Sequence, residues 1–342
     1  MILRKVFLFF FVVIFVVFGS VNDARAQDPQ FSQFFSAPLY LNPGFTGATQ
    51  LTRFGANYRN QWPSLEANFT TYSAFADHYF EDYNSGVGII FLGDRVSNYG
   101  IGLNSIHLTY AYQLAISDKV TFRPGIKVGY VGQSANYSKL VFGTGIDPDT
   151  GLPNPDGNPN IDGQAKNYFD LGFGGVLYTG EFWLGVSADH LTQPDQSLSG
   201  LDQEILPIKF AATAGYKFVL SKRRRNVIRE YSFTPTILYK KQGEFDQMDL
   251  GMYLTVEPIV LGMWYRGVPF KAVEGKSNHE SLVFLIGYSM NDFKVGYSFD
   301  YTLSEIGIQS GGAHEISISY SLFTGDPRRP PKHIRNIPCP QF

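Results

Sequence analysis

From residue 51 onward the chain alternates, position by position, between apolar side chains and polar or small ones, in one stretch of about ten residues after another. Phe293, Val295, Tyr297, Phe299 and Tyr301 are separated by Lys294, Gly296, Ser298 and Asp300. Ile106, Leu108, Tyr110, Tyr112 and Leu114 likewise oppose Ser105, His107, Thr109 and Gln113. A period of two puts each kind of residue on its own face of an extended strand. Stretches of this type occupy 51–62, 67–80, 85–93, 101–114, 119–132, 167–179 and 181–191. They continue at 206–220, 231–241, 248–256, 259–266, 282–288, 293–301 and 314–322, which predicts fourteen strands.

One face of these strands is rich in Phe and Tyr, which with Trp make up 16% of the chain, yet mean hydropathy is only −0.10. That balance excludes a helical membrane protein, which needs runs of about 20 apolar residues. The aromatic content excludes a disordered chain, and the single Cys339 excludes a disulfide scaffold. Connections alternate in length. Short ones (81–84, 116–118, 180, 257–258, 291–292) fall between longer ones (94–100, 134–166, 192–205, 267–281, 302–313). Aromatic residues near stretch ends, among them Tyr58, Trp62, Tyr72, Phe80, Phe169, Phe173 and Trp264, suit girdles at two lipid–water interfaces. The expected fold is all-β: a transmembrane antiparallel β-barrel of about fourteen strands, both termini on the periplasmic side of an outer membrane. A secreted soluble β-sandwich would have no reason to alternate its loop lengths, and an open sheet of this size would leave unpaired edges.

Arg4-Lys5, the apolar run Val6–Phe18 and Ala24-Arg25-Ala26 have the layout of a secretory signal peptide cut before Gln27. The expected organisation is a signal peptide (1–26), an N-terminal periplasmic or plug segment (27–50), the barrel (51–323) and a periplasmic C-terminal tail (324–342). The segment after the signal is punctuated by Pro and Gly yet carries several large apolar residues, which points to a plug packed in the periplasmic mouth.

Three motifs are recognisable: the run from Asp28 to Gly47, with Asp28, Pro29, Phe31, Asn42 and Pro43; the segment Tyr58, Arg59, Asn60, Gln61, Trp62, Pro63; and the closing stretch that starts at His314 and Glu315. Together they resemble the PorP/SprF family of Bacteroidota outer-membrane proteins over essentially the whole mature chain. The resemblance implies an integral outer-membrane barrel of type IX secretion and gliding motility. Its implied partners are outer-membrane lipid, secreted cargo or adhesins with a C-terminal sorting domain, and periplasmic or peptidoglycan-associated machinery. The tail from Thr324 to Phe342 extends past the usual closing strand.

No spacing of His, Cys or Ser marks a catalytic or structural metal site, a nucleophile elbow or a P-loop, so no enzyme and no cofactor are expected. A net charge of −2 gives no basic face for nucleic acid. In 134–166, Asp147, Asp149, Asp156, Asn158, Asn160 and Asp162 offer hard oxygen ligands of the kind Ca²⁺ takes. The EF-hand register fails there, and a solvated loop of Asx turns is the default reading. This loop, with 192–205 and 267–281, is the expected surface for a secreted partner. Lys222, Arg223, Arg224 and Arg225, with Arg328, Arg329, Lys332 and Arg335 of the tail, read by default as solvated charge or contacts to inner-leaflet headgroups, and as the alternative are candidates for docking an acidic periplasmic or peptidoglycan-associated partner. Inward Arg53, Arg59, Arg123, Lys127, Lys209 and Lys217 would either bias an open lumen towards anions or pair with Asp77, Asp170, Asp189 and Asp249 to fill it. The first outcome suits a passive channel for small solutes, the second a closed anchor.

Overall fold

The computed structural model describes residues 28–97, 100–136, 146, 147, 150, 152, 164–198, 203–221, 231–273, 276–290, 292–304, 307–322 and 337–340. The expected signal peptide lies outside them. Fourteen antiparallel strands follow one another in chain order. The first seven are β1 (Thr52–Gln61), β2 (Phe69–Phe80), β3 (Ser85–Val96), β4 (Ile101–Tyr112, prolonged by Leu114–Ala115), β5 (Thr121–Ala135), β6 (Gln164–Tyr178) and β7 (Phe182–Asp189). The rest are β8 (Lys209–Tyr216, prolonged by Phe218–Ser221), β9 (Tyr231–Gln242), β10 (Phe245–Val256), β11 (Ile259–Val273), β12 (Lys276–Met290), β13 (Phe293–Thr302) and β14 (Ala313–Leu322). Each pairs with the next, and β14 returns to β1 in continuous register from Thr52 opposite Leu322 to Gln61 opposite Ala313. The sheet is therefore a closed barrel without a free edge, which is what spanning lipid with strands requires.

The alternation decides which face points where. On β1, Phe54 is 48% exposed and its neighbour Arg53 7%. On β14, Ile316, Ile318 and Tyr320 point outward, while Glu315, Ser317 and Ser319 are buried inside. The outer belt is thus Phe, Tyr, Leu and Ile, suited to acyl chains, and the polar set lines the lumen. Trp264 departs from the expected outer girdle. It sits on the inward phase of β11, fully enclosed, against Phe34 and Tyr253.

One rim carries the turns Glu81–Asn84, Thr179–Glu181 and Glu257–Pro258; the opposite rim carries most of the long connections. The expected loop 267–281 is corrected: β11 and β12 continue as a hairpin to Val273 and from Lys276, with register irregularities after Arg266 and Val268. Alternation fades there because strands that project beyond the lipid no longer need an apolar face, while the backbone ladder persists. A second departure on this rim is the tight turn at Gly243 (φ 57°), which joins β9 to β10 directly.

Candidate functional site

The lumen is filled by the chain's own N-terminal segment. It contains a single short helical turn, Pro38–Leu41, and a 3-10 turn, Pro43–Phe45. Proline opens each turn, where a missing N–H costs nothing. Phe34 packs edge-on against Trp264 and Phe35 against Trp183, with Tyr253 tilted beside Phe35, at centroid separations of 5.8, 5.8 and 6.1 Å. Leu39 is enclosed by Phe75 and Ile90, and Phe31 and Ala37 by Leu92. Each large apolar side chain buried this way contributes roughly 1.5–3 kcal/mol.

Three polar clasps fix this apolar column. At the long-connection rim, Asp28 meets Lys209 Nζ at 2.5 Å, His190 Nε2 at 2.7 Å and Gln242 Nε2 at 3.0 Å. In the upper lumen, the Glu315 carboxylate accepts the N–H groups of Ser32 (2.6 Å) and Gln33 (3.0 Å). Ser32 Oγ donates to Asp300 and accepts from Arg59 (2.6 Å) and Arg266 (3.1 Å). Toward the short-turn rim, Asn42 Nδ2 donates to the carbonyls of Gly175 (3.2 Å) and Val186 (2.8 Å) while its Oδ1 accepts from Gly44 N–H. Arg123 donates to the carbonyls of Gly44 and Thr46, and Asp77 accepts from Gly47 N–H at 2.7 Å.

The segment therefore runs the length of the lumen instead of sitting in the periplasmic mouth. Asp28 lies beside Gln242, at the opposite rim from Leu322, the last residue of β14. The tail is anchored too. Ile337 joins the cluster of Phe34, Phe35 and Trp264, with Cys339 against it. Burial pushes the Cys339 thiol up to about 12, which leaves it unreactive at neutral pH.

Glycine paves the wall where the plug comes closest. A Cβ on Gly86 would stand 2.2 Å from the Thr46 carbonyl oxygen, whereas one on Gly180 meets nothing within 4 Å. Gly86→Ala is expected to lower the unfolding free energy by about 1–3 kcal/mol, and Gly180→Ala to leave it within about 0.5 kcal/mol. Denaturant unfolding of the two variants in micelles reads the contrast.

Burial alone would raise the Asp28 carboxyl, but Lys209 and His190 hold it well below the usual carboxylate range. His190, which burial alone would lower, is raised to about 9 by Asp28 and Asp170. A raised histidine stabilises fully below its unfolded value of about 6.5 and loses that contribution as pH rises through about 9. A depressed carboxylate stabilises above its unfolded value and fails as pH falls through its folded one. The rim clasp is thus strongest from about pH 4 to 6.5. Unfolding at pH 10 is expected to be easier than at pH 6, by a margin that His190→Gln shrinks.

Most recognised motif residues converge on these clasps. Asp28, Asn42, Arg59 and Glu315 hold the plug; Pro29 accepts from Tyr40 Oη (2.6 Å), Phe31 is packed inside and Pro43 opens the 3-10 turn. Gln61 accepts from Arg59, and Asn60 sits opposite His314 across β1 and β14. Trp62 and Pro63 tie β1 to the connection before β14, through Trp62 N–H to the Gly312 carbonyl and contact with Gly311. Tyr58 faces lipid, and outward His314 pairs with Tyr297 Oη at 2.8 Å. Of the calcium candidates, Asp147 accepts from Thr150 N–H through its Oδ1; Asp149, Asp156, Asn158, Asn160 and Asp162 lie outside the described residues. So do the partner candidates Lys222, Arg223, Arg224, Arg225, Arg328, Arg329, Lys332 and Arg335.

Several inward charges are paired, whereas Arg123 is held by Gln113 and the carbonyls of Gly44 and Thr46 instead of by a carboxylate. Arg53 binds Asp77 (2.8 Å), Lys127 binds Asp189 (2.6 Å), and Arg59 and Arg266 share Asp300 (2.9 and 3.0 Å). Sequence reasoning missed Ser32, Gln33, His190, Arg266 and Asp300 as clasp residues. The available signal was the cost of a charge inside a membrane-crossing element, which makes each inward ion a request for a partner.

A closed barrel with an apolar belt and a filled polar interior defines an outer-membrane β-barrel protein. Solved structures similar to it include Omp33 of Acinetobacter baumannii (10% identity, 80% of this chain and 99% of that one, TM-score 0.40). Others are the P. putida toluene transporter TodX (9% identity, 83% and 93%, TM-score 0.44) and the KdgM porin (8% identity, 79% and 99%, TM-score 0.37). No curated protein matches the sequence. Residues 24–320 match the family model for the type IX secretion system membrane protein PorP/SprF, and the chain belongs to that family.

Proposed function

We propose that this protein is a non-enzymatic outer-membrane platform of type IX secretion, one that binds and anchors a secreted adhesin or other sorting-domain cargo at the cell surface. In this reading the short-turn rim faces the periplasm, where the basic stretches 222–225 and 328–335 dock machinery proteins, and the long connections face outward. The observation that carries it is the filled lumen: with residues 28–48 clasped along the inner wall and Ile337 packed beneath them, the barrel is built as a rigid support. Loops on such a scaffold are where partner contacts reside.

A passive solute channel is the competing reading, and the paired lumen charges weigh against it. Purified intact protein in a planar bilayer is expected to give no large, steady single-channel currents; such currents would favour the channel. Affinity purification from the native outer membrane is expected to recover a secreted protein with a C-terminal sorting domain. Recovery of neither such a protein nor a periplasmic partner would overturn the anchoring role.

A further inference from the structure

Residues 28–48 meet the lumen through side-chain recognition, beyond shape alone. The Gln33 side chain is matched at both ends: its Nε2 donates to the Glu315 carbonyl (2.9 Å) and Ser298 Oγ (3.3 Å), and its Oε1 accepts from Ser317 Oγ (2.6 Å). The backbone N–H groups of residues 32 and 33 are taken by one carboxylate, and Ser32 Oγ is bound by one anion and two cations. The next two residues, Phe34 and Phe35, fill an aromatic socket made by Trp183, Tyr253 and Trp264. All of these receiving groups belong to β7, β10, β11, β13, β14 and β1, whose ladders close without help from the segment. The segment adds no strand to the barrel. Its only covalent link to the wall is the connection into β1, where Gln50 turns the chain at φ 58°.

We propose that the lumen is a sequence-reading peptide receptor, with residues 28–48 as its resident ligand, specific for a Ser-Gln pair followed by two aromatic residues. The pair is the specificity element. An aromatic peptide without it would bury its rings but leave Ser298, Ser317 and the Glu315 carbonyl without the Gln33 amide, and Arg59, Arg266 and Asp300 without the hydroxyl they share, the kind of mismatch by which polar sites reject analogues. Glutamate in place of Gln33 would turn a carboxylate towards the Glu315 carbonyl oxygen. This inference goes beyond the anchoring role and does not depend on it, because no cargo enters its test.

The test uses the full chain with a protease recognition sequence inserted after Gln50. After cleavage of the folded protein in micelles, the freed segment is expected to remain bound through gel filtration. An excess of fluorescent synthetic peptide spanning 28–50 should replace it, and a peptide carrying Gln33→Glu, or a scrambled one, should compete at least about tenfold more weakly. Slow exchange is covered by a second measurement. The cleaved protein is unfolded and refolded with equal amounts of wild-type and Gln33→Glu peptides, and the wild-type peptide should be taken up preferentially. Loss of the segment on cleavage, or equal uptake of the wild-type, Gln33→Glu and scrambled peptides, would overturn the proposal.

Discussion

Arg266→Ala is expected to lower the unfolding free energy by about 3–5 kcal/mol, the cost of stranding a buried counter-charge. The guanidinium is enclosed and joins three groups: Asp249 through Nε at 2.7 Å, Asp300 at 3.0 Å and the plug's Ser32 Oγ at 3.1 Å. Its loss leaves Asp249 with Gln247 Nε2 at 3.1 Å, and leaves Asp300 with Arg59. Attraction between the ions is only part of the effect. The larger part is the carboxylate left in a site that no longer compensates it, and a double-mutant cycle separates the two. Asp249→Ala alone should also destabilise, but the double variant Arg266→Ala/Asp249→Ala should cost at least about 1 kcal/mol less than the sum of the singles, since removing both partners removes the stranded charge. Chemical unfolding in micelles measures all four corners. Additive losses, or a single-variant loss below about 1 kcal/mol, would mean that water or another cation compensates Asp249 and that the plug is not held by this hub.

The barrel was legible in the sequence because a strand in lipid has two solvents, one on each face, and each writes its own residue type at alternate positions. Where only one solvent remains the signal disappears, which is why the projecting part of the β11–β12 hairpin reads as a loop. Trp264 was misplaced for a related reason. An aromatic residue on the polar phase looks like a girdle residue until something apolar is known to occupy the lumen, and that occupant, Phe34, lies 230 positions away in sequence. Some ion pairs were closer to hand: Arg53 and Asp77, Arg59 and Glu315, and Asp249 and Arg266 are direct cross-strand partners once the register is known. The plug contacts were not legible. Ser32 to Glu315 spans 283 positions and Asp28 to Lys209 spans 181, and no local period encodes a contact between a segment and the inside of a tube. Among the recognised motif residues, Asp28, Arg59 and Glu315 mark both sides of these contacts.

An epitope inserted between Gln27 and Asp28 is expected to be labelled by antibody on intact cells, whereas one appended after Phe342 should require permeabilisation. The argument rests on direction. Asp28 is held by the last residue of β9, the first of β8 and the residue that follows β7, all at the long-connection rim. From there the chain descends to Gly47, which lies against Asp77 and Gly86 near the opposite rim, and enters β1. Added residues before Asp28 cannot turn back down, because the space below is taken by Phe31, Phe34 and Phe35. They have to leave through the outer mouth. The C-terminal end behaves oppositely, since β14 finishes beside Thr52 and Ile337 packs up from that side. The result also orients the whole molecule. Labelling of the upstream epitope alone puts the long connections outside and the short turns in the periplasm, and labelling of the C-terminal epitope alone inverts the barrel. Labelling of both or of neither would put the two ends on one side of the membrane and remove the through-lumen path of residues 28–48 on which the closed platform depends.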